Sequence, residues 1–440
     1  MPTLFLANAD TEAMVADPRN LDKHFRQFSA GTSRRHLWMM SPGDAIVLPS
    51  LARSEHIHYI EDMCQYDRGS LRVLHIDGDH QNPYPLDIEN LSAKELIDQL
   101  QAIGFERGNW SVEPYIADQV AFHFSKLIDV PIRFGDFGTP VCEAADVFND
   151  KRVFRALAAG LNVPTAPGCT CASLAQLTSA LAELTPATGS VIVKLDRHSG
   201  TAGNVLVTTR DIQNAPGAHK IHRVSAGHGY EEIARTIYAE LSRSQNSFFV
   251  VESYYHSALS VGVHYLVGND GITLNGVCDM RLLPSYAGMF WPSSLSEFVV
   301  HKLLAEGQKL AYEVGRLGHR GPVSIDAIVC PDDKIMISEI NARHGGFSMA
   351  KAVIEKIVVQ AYPVGRVMAT RLNLTSQLDF KTILALLDED SLGFSRTTGK
   401  GVIVYLEDLE NTKHIEIFSV AESREELENF ENRFVQLVCQ

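Results

Sequence analysis

The sequence predicts a chain of mixed α/β and α+β class in three parts, residues 1–147, 148–372 and 373–440. Three observations predict this. Residues 1–147 alternate short β-like runs with helical stretches, the pattern of a small α/β layer with a parallel sheet. From residue 149 the chain turns to strands joined by hairpin signals, with helices between them. The last part reads as two strands followed by an acidic helix. A length of 440 residues suits about three domains.

In the first part, Thr3–Ala7, Ala45–Pro49 and Leu71–Ile76 are the predicted strands, and Ser92–Ile103 and Asp118–Leu127 the predicted helices. Gly43-Asp44 and Asp77-Gly78-Asp79 have turn composition. No glycine-rich phosphate fingerprint occurs here. In the second part, Asn149 or Asp150 caps a helix over Lys151–Ala159, closed by Gly160 with Pro164 beyond it. Ser173–Leu184 is a second amphipathic helix. Ser190–Lys194 is a strand ending in lysine. It leads into Asp196–Asn204 and then the strand Val205–Thr209. A hairpin needs only two residues at its tip, so this long small-residue tip is a candidate phosphate-covering loop or a plain surface loop. Arg210–Gly229, with three histidines at irregular spacing, reads as a solvated loop. Tyr230–Ser242 is a helix. Phe248–Val251, Val261–Val267 and Thr273–Arg281 are strands, Leu282–Ser294 an irregular segment, and Phe298–Leu317 a strongly periodic helix.

Gly321–Gly346, GPVSIDAIVCPDDKIMISEINARHGG, organises the rest. Ser324–Cys330 and Ile335–Asn341 read as strands about the turn Pro331–Lys334. Pairing Cys330 with Ile335 places Asp326 opposite Glu339, with Asn341 and Arg343 following on the same face. Facing carboxylates destabilise a bare sheet, and a divalent cation between them removes the repulsion. Two carboxylates and an amide oxygen are hard ligands suited to Mg²⁺. Read alone, the same acids also suit a surface hairpin. Met349–Gln360 is a helix. Beyond it, Val402–Leu406, Ile415–Val420 and Glu422–Val438 form the β-β-α unit.

Composition narrows the function. Hydrophobic residues make up 45% and charged residues 21%, as in an ordinary soluble protein. The net charge of −14 argues against a general nucleic-acid binder. Seven scattered cysteines, with Cys169 and Cys171 lacking a matching second pair, argue against a zinc site and for a reducing cytoplasm. The N-terminus lacks signal-peptide character, and no stretch suits a bilayer span.

The ordered set Asn149-Asp150-Lys151, VIVKLDRHSGTAGNVLV, FFVVESYY, GPVSIDAIV and ISEINARHGG resembles the ATP-grasp superfamily of carboxylate–amine ligases over about residues 149–370. The first part then resembles the pre-ATP-grasp domain. DMRLLPSYAGMFWPSSLSEF, GHRGP and the C-terminal unit look most like bacterial peptide ligases of the pheganomycin-ligase type. The resemblance implies an ATP-grasp fold with a pre-ATP-grasp α/β domain and a small C-terminal unit. It implies ATP and Mg²⁺ (or Mn²⁺) as cofactors, with Lys151 and Lys194 on the ATP phosphates and Ser199, Gly200, Thr201, Ala202 and Gly203 as the covering loop. Glu252 and the backbone near Tyr254 would meet the adenine. Ala258-Leu259-Ser260 has no acid for the ribose. Asp326, Glu339 and Asn341 would hold the metal, and Arg343, with Lys194, would be catalytic. Arg281, Tyr286, Gly345 and Gly346 are the candidate substrate contacts, with Trp291 a further pocket residue, and core packing is the competing reading for Tyr286 and Trp291.

The implied reaction is ADP-forming. A carboxylate is activated as an acyl phosphate, and an amine then displaces phosphate to give a peptide or amide bond. The catalytic demand is positioning and charge neutralisation. The implied partners are small-molecule or peptide acids and amines, with no nucleic acid and no membrane, and a homodimer is left open. Two other readings compete with this one. One is an ATP-binding regulatory protein with little turnover. The other is a biotin-dependent carboxylase, for which the chain holds no biotin-acceptor sequence.

Overall fold

The computed structural model describes residues 1–15, 23–76, 83, 85–105, 108–134, 141–198, 203–225, 229–241, 248–361 and 365–439. The first part is a four-stranded parallel sheet of β1 (Thr3–Leu6), β2 (Ala45–Leu48), β3 (Arg72–His75) and β4 (Ser111–Pro114), in the order β3-β2-β1-β4. Helices on both faces bury such strands completely, which explains their unbroken apolar runs TLFL and AIVL. β4 (SVEP) carries Glu113 and Pro114 and has no such signature, so sequence pattern does not find it. Asp44 fixes the turn before β2. Its carboxylate accepts from the N–H groups of Thr3 and Ser41, both at 2.7 Å. Asp77-Gly78-Asp79 lies outside the described residues.

The second sheet holds β5 (Gly168–Cys171), β6 (Ser190–Leu195), β7 (Asn204–Thr208), β8 (Lys220–Arg223) and β9 (Phe249–Ser253), in the order β5-β9-β6-β7-β8. The helices Leu174–Thr188 and Tyr230–Leu241 cover one face, packing Leu177, Leu181 and Ile237 against Val193 and Val251. β8 lies inside the segment expected to be a loop. Its parallel pairing with β7 is long-range and leaves no local sequence pattern.

The third sheet runs through the rest of the chain. It comprises β10 (Leu259–Val267), β11 (Ile272–Leu282), β12 (Tyr286–Trp291), β13 (Gly321–Val329), β14 (Ile335–Asn341), β15 (Val367–Thr375), β16 (Gly401–Asp408) and β17 (His414–Ala421). The order is β14-β13-β10-β11-β12-β15-β17-β16, antiparallel throughout. Two expectations change. The segment expected to be irregular contains β12, which pairs with both β11 and β15. The expected boundary at 372/373 falls inside β15, which joins the C-terminal strands to the central ones. Ile403, Tyr405, Phe418 and Val420 share a core with the N-terminal sheet, and Trp38 donates through Nε1 to the Tyr405 carbonyl at 2.7 Å.

The fused sheet also reassigns Arg281. Its guanidinium grips Glu431, from the helix Arg424–Val438, through two bonds of 3.1 and 3.0 Å, and stacks on Phe290. Both side chains are buried. Arg281 therefore holds the C-terminal helix to the sheet and is not free for a substrate carboxylate. Arg281→Ala should destabilise the protein by about 3 kcal/mol, the lower end for breaking a buried pair. Burial already raises the pKa of Glu431, so it can take up a proton when its partner is lost. Denaturant unfolding measures this. Unchanged stability with weakened acid affinity would restore the substrate role.

Candidate active site

The site lies between the second and third sheets, where β13 and β14 present their acids. Asp326 does face Glu339, but through a different register than the sequence suggests. Asp333 in the left-handed region (φ 59°) tightens the turn, so Val329, not Cys330, pairs with Ile335. That register alone would set Ser338 opposite Asp326. An irregularity at Ser338 adds back one residue, and the Ser338 hydroxyl donates to the Asp326 carbonyl at 3.1 Å. The two one-residue offsets cancel. A bulge of this kind re-aims side chains, and here it delivers Glu339 to its partner.

Cations converge on the pair from other elements. Lys151 opens the helix Lys151–Gly160, capped by the Asp150 side chain, and its backbone N–H donates to the Asp196 carbonyl at 3.0 Å. Its Nζ lies 3.1 Å from Glu339 and donates to the His198 carbonyl at 3.2 Å. Lys194, near the end of β6, lies 2.7 Å from Glu252 on the neighbouring β9. Arg155 holds the other Glu252 oxygen at 2.6 Å. Arg155 stands four residues after Lys151, on the same helix face, and that spacing is the sequence signal that could have found it. Burial alone would discourage charge on Lys194, but Glu252 and Glu339 outweigh it and raise its pKa.

The acids themselves divide. Burial, then the Glu339 charge, pushes Asp326 well above the usual carboxylate range. Glu339 feels the same burial, but Lys151 and Lys194 together hold it below that range. Asn341 donates its amide to Asp326 at 3.1 Å and to Glu339 at 3.3 Å, while its Oδ1 accepts from Arg343 at 2.7 Å. Among the described residues, no three His, Cys, Asp or Glu side chains form a metal cluster. The available donors are thus two carboxylates and an amide oxygen, a set that fits Mg²⁺ completed by waters and phosphates. The Asn341 amide must turn over to offer that oxygen.

A cavity leads away from the acids. Its lining combines the apolar Ile192, Met280, Leu282, Ile328 and Met336 with the polar Lys194, Asn204, Glu252, Asp326 and Glu339. A flat base fits the first part and phosphates the second. Tyr254 lines this cavity, yet its own N–H is engaged with the Ser190 carbonyl at 3.0 Å, and its hydroxyl donates to the Pro216 carbonyl at 2.8 Å. Glu252 is buried and clamps Lys194 and Arg155. Ser199, Gly200, Thr201 and Ala202 lie outside the described residues. Gly203 closes the hairpin base, where any Cβ would come within 2.9 Å of the His198 Cβ.

Tyr286 and Gly346 do meet. A Cβ on Gly346 would stand 2.9 Å from the Tyr286 hydroxyl. Gly345 caps the helix Gly346–Val353. Sequence reasoning missed a group on the other side of this loop. His344 donates its backbone N–H to the Tyr115 carbonyl at 2.9 Å, and its ring lies 3.1 Å from Glu113 on β4. No local pattern links residues 113 and 344.

Comparison with known proteins agrees with this architecture. Residues 33–130 match the family model described as Pre ATP-grasp domain, and residues 382–434 match the PGM1 C-terminal domain. No curated protein matches the chain. Among solved structures, the N5-carboxyaminoimidazole ribonucleotide synthetase of Thermus thermophilus is similar at 14% identity, covering 100% of this chain and 99% of that one, with a TM-score of 0.57. The biotin carboxylase of Campylobacter jejuni is 13% identical, covering 99% and 91%, with a TM-score of 0.59. The biotin carboxylase domain of Hydrogenobacter thermophilus 2-oxoglutarate carboxylase, a dimer in complex with MgADP, ADP and bicarbonate, is 12% identical, covering 99% and 90%, with a TM-score of 0.56. At these identities the likeness shows the fold: ATP-grasp, preceded by a pre-ATP-grasp domain.

The raised Asp326 pKa fixes a sign for pH dependence. Between its ordinary value of about 4 and its raised folded value, the folded state holds a proton that the unfolded state has released. Its contribution to stability therefore falls as pH rises through that window. The melting temperature of the wild type minus that of Asp326→Asn should decline from about pH 5 to about pH 8. Added Mg²⁺, displacing the proton, should stabilise the wild type more at the higher pH. A difference that is flat with pH would contradict the assignment.

Proposed function

We propose that this protein is an ATP-dependent, ADP-forming ligase that joins a carboxylate to an amine through an acyl phosphate, making a peptide or amide bond. The observation that carries the reading is the convergence of Lys151, Lys194 and Arg343 on the opposed Asp326 and Glu339. Binding alone does not require three cations around one acidic hairpin. Chemistry that moves a phosphoryl group does, because its transition state spreads negative charge over oxygens that must be neutralised in place.

In this reading the apolar cavity takes the base of ATP, and Lys194 and Lys151 hold its phosphates. Asp326, Glu339 and Asn341 would hold Mg²⁺, which neutralises phosphate charge and orients the γ-phosphoryl group. Arg343 stands on the far side of Asn341 and meets the acid substrate. The substrate oxygen forms a bond to the γ-phosphorus as the bond to ADP breaks. The amine nitrogen then attacks the acyl carbon, and phosphate leaves. Tyr286, Gly345 and Gly346 line the place for the acid. The match at residues 382–434 sets a second known domain on the C-terminal unit. The finer likeness to peptide ligases of the pheganomycin-ligase type makes amino acids and small peptides the first substrates to try.

Bicarbonate belongs in the same screen, since one structural neighbour holds it beside MgADP. Amino acids, small peptides and bicarbonate, offered as the acid, should be screened for ADP release. ADP and phosphate should appear together, and EDTA should abolish turnover. Arg343→Ala should lower kcat by about 10²-fold or more with little change in the KM for ATP, because its partner charge develops during transfer. Lys194→Ala should weaken both, because it contacts phosphates already present in bound ATP. AMP and pyrophosphate as main products would refute the reading. Bicarbonate as the only productive acid would replace the amide product with carboxylation.

A further inference from the structure

A second cavity, of about 270 Å³, adjoins the metal site through two hydrogen bonds. Ser324, from β13, lines it and donates to Asp326 at 3.0 Å. Arg343 lines it and donates to Asn341 at 2.7 Å. A ligand that touches Arg343 from this cavity is therefore a neighbour of the paired acids.

The cavity carries more positive charge than it neutralises. Arg133, Arg343, Lys351 and Lys356 line it against two carboxylates, Glu113 and Glu355. Both carboxylates are already engaged. Glu113 accepts from Arg133 at 2.5 Å, and Glu355 pairs with Lys351 one helical turn away. The hydrogen-bond partners of Arg343 and Lys356 are neutral. Arg343 holds the Asn341 amide oxygen and the His344 carbonyl, and Lys356 holds the carbonyls of Met39 and Met40. Such oxygens satisfy N–H donors but cancel no charge. Burial lowers the Lys356 pKa, the direction expected of a cation whose neighbours do not neutralise it.

The cations are spread along the cavity. Gly345, Ser348, Lys351 and Ala352 line it at helical spacing, so one stripe of the helix Gly346–Val353 follows it away from Arg343. Lys351 stands five residues beyond Gly346, about 8 Å along the helix axis. Arg133 approaches from the N-terminal part. The side chains of Lys351 and Arg133 are 28% and 50% exposed, so a ligand can reach both.

We propose that the acid substrate carries a second anionic group and that this cavity receives it. The reacting carboxylate meets Arg343 beside the metal site. The second group, a carboxylate or a phosphate, meets Lys351 and Arg133, and replaces Glu355 as the partner of Lys351. Amino acids with an acidic side chain, and peptides that contain one, have this chemistry. A monoacid leaves the far cations without a counter-charge.

The inference deepens the ligase reading and rests on it, and its test separates the two. Succinate, glutarate and adipate, each beside its monoamide, are titrated into the protein by calorimetry. The monoamide keeps the length of the diacid and loses one charge. The best diacid should bind about tenfold more tightly than its monoamide. Lys351→Gln should remove most of that ratio. Glu355→Gln, which frees Lys351 from its helix partner, should raise it. Opposite shifts from two neighbours on one helix are not the result of a general structural effect. Arg133→Gln should lower the ratio and serves if Lys351→Gln fails to fold. 3-Phosphonopropionate, compared with glutarate, assigns the second group as phosphate if it binds more tightly and as carboxylate if it does not. Failure of every diacid to outbind its monoamide, or a ratio that ignores all three substitutions, would overturn the proposal. Selective diacid binding with no ADP release from any acid in the screen would instead refute the ligase reading and leave the anion site standing.

Discussion

Two carboxylates set face to face on adjacent strands repel, and in this protein both are only partly open to water. Asp326 and Glu339 are tolerable only because opposite charge is brought to them, and the surrounding architecture follows from that need. Lys151 comes from a helix start and Lys194 from the second sheet, so the acids tie the two sheets together. The chain of charge continues through Glu252 to Arg155, which binds the carbonyls of Ala166 and Gly168. Removing one partner of such a network leaves an unpaired buried charge, so its members are strongly coupled. The same groups are the ones a metal–nucleotide complex would contact. A site wired this way needs little reorganisation when phosphates replace protein carboxylates as partners of the lysines.

The N-terminal part serves the site by fixing the loop after β14. The Tyr115 carbonyl holds the His344 N–H, and the Arg343 guanidinium lies 5.8 Å from the Tyr115 ring centroid. The C-terminal strands extend the third sheet and are bound to the N-terminal part by buried ion pairs. Arg34 reaches Asp408 at 2.9 Å, and Arg35 grips Glu416 with both its Nε and Nη2. Breaking pairs this deep is costly, so the three parts behave as one body around the acidic hairpin.

Local pattern made part of this legible. The acids, the lysine near the end of β6 and the helix opened by Lys151 are each set by short-range signals: alternation, turn composition and a capping aspartate. The Asp326–Glu339 opposition was also legible, although the register inferred from the turn held two errors that cancelled. A turn one residue tighter and a bulge one residue longer return the same register. What stayed hidden depends on pairing between distant segments. β8, β12 and β15 form because partner strands lie beside them. Arg281 reads as an available cation until Glu431, 150 residues later, is seen to hold it. Glu113 and His344 meet only because the first and third sheets pack together.

The central claim is that the acid substrate's own oxygen attacks the γ-phosphorus, beside Arg343 and the paired acids. Labelling that oxygen tests it most directly. The substrate acid is prepared with ¹⁸O in its carboxylate, turned over with ATP and the amine, and the released phosphate is analysed by mass. The account predicts one ¹⁸O atom transferred to each phosphate formed and none to ADP. Unlabelled phosphate, or label found in AMP, would contradict it.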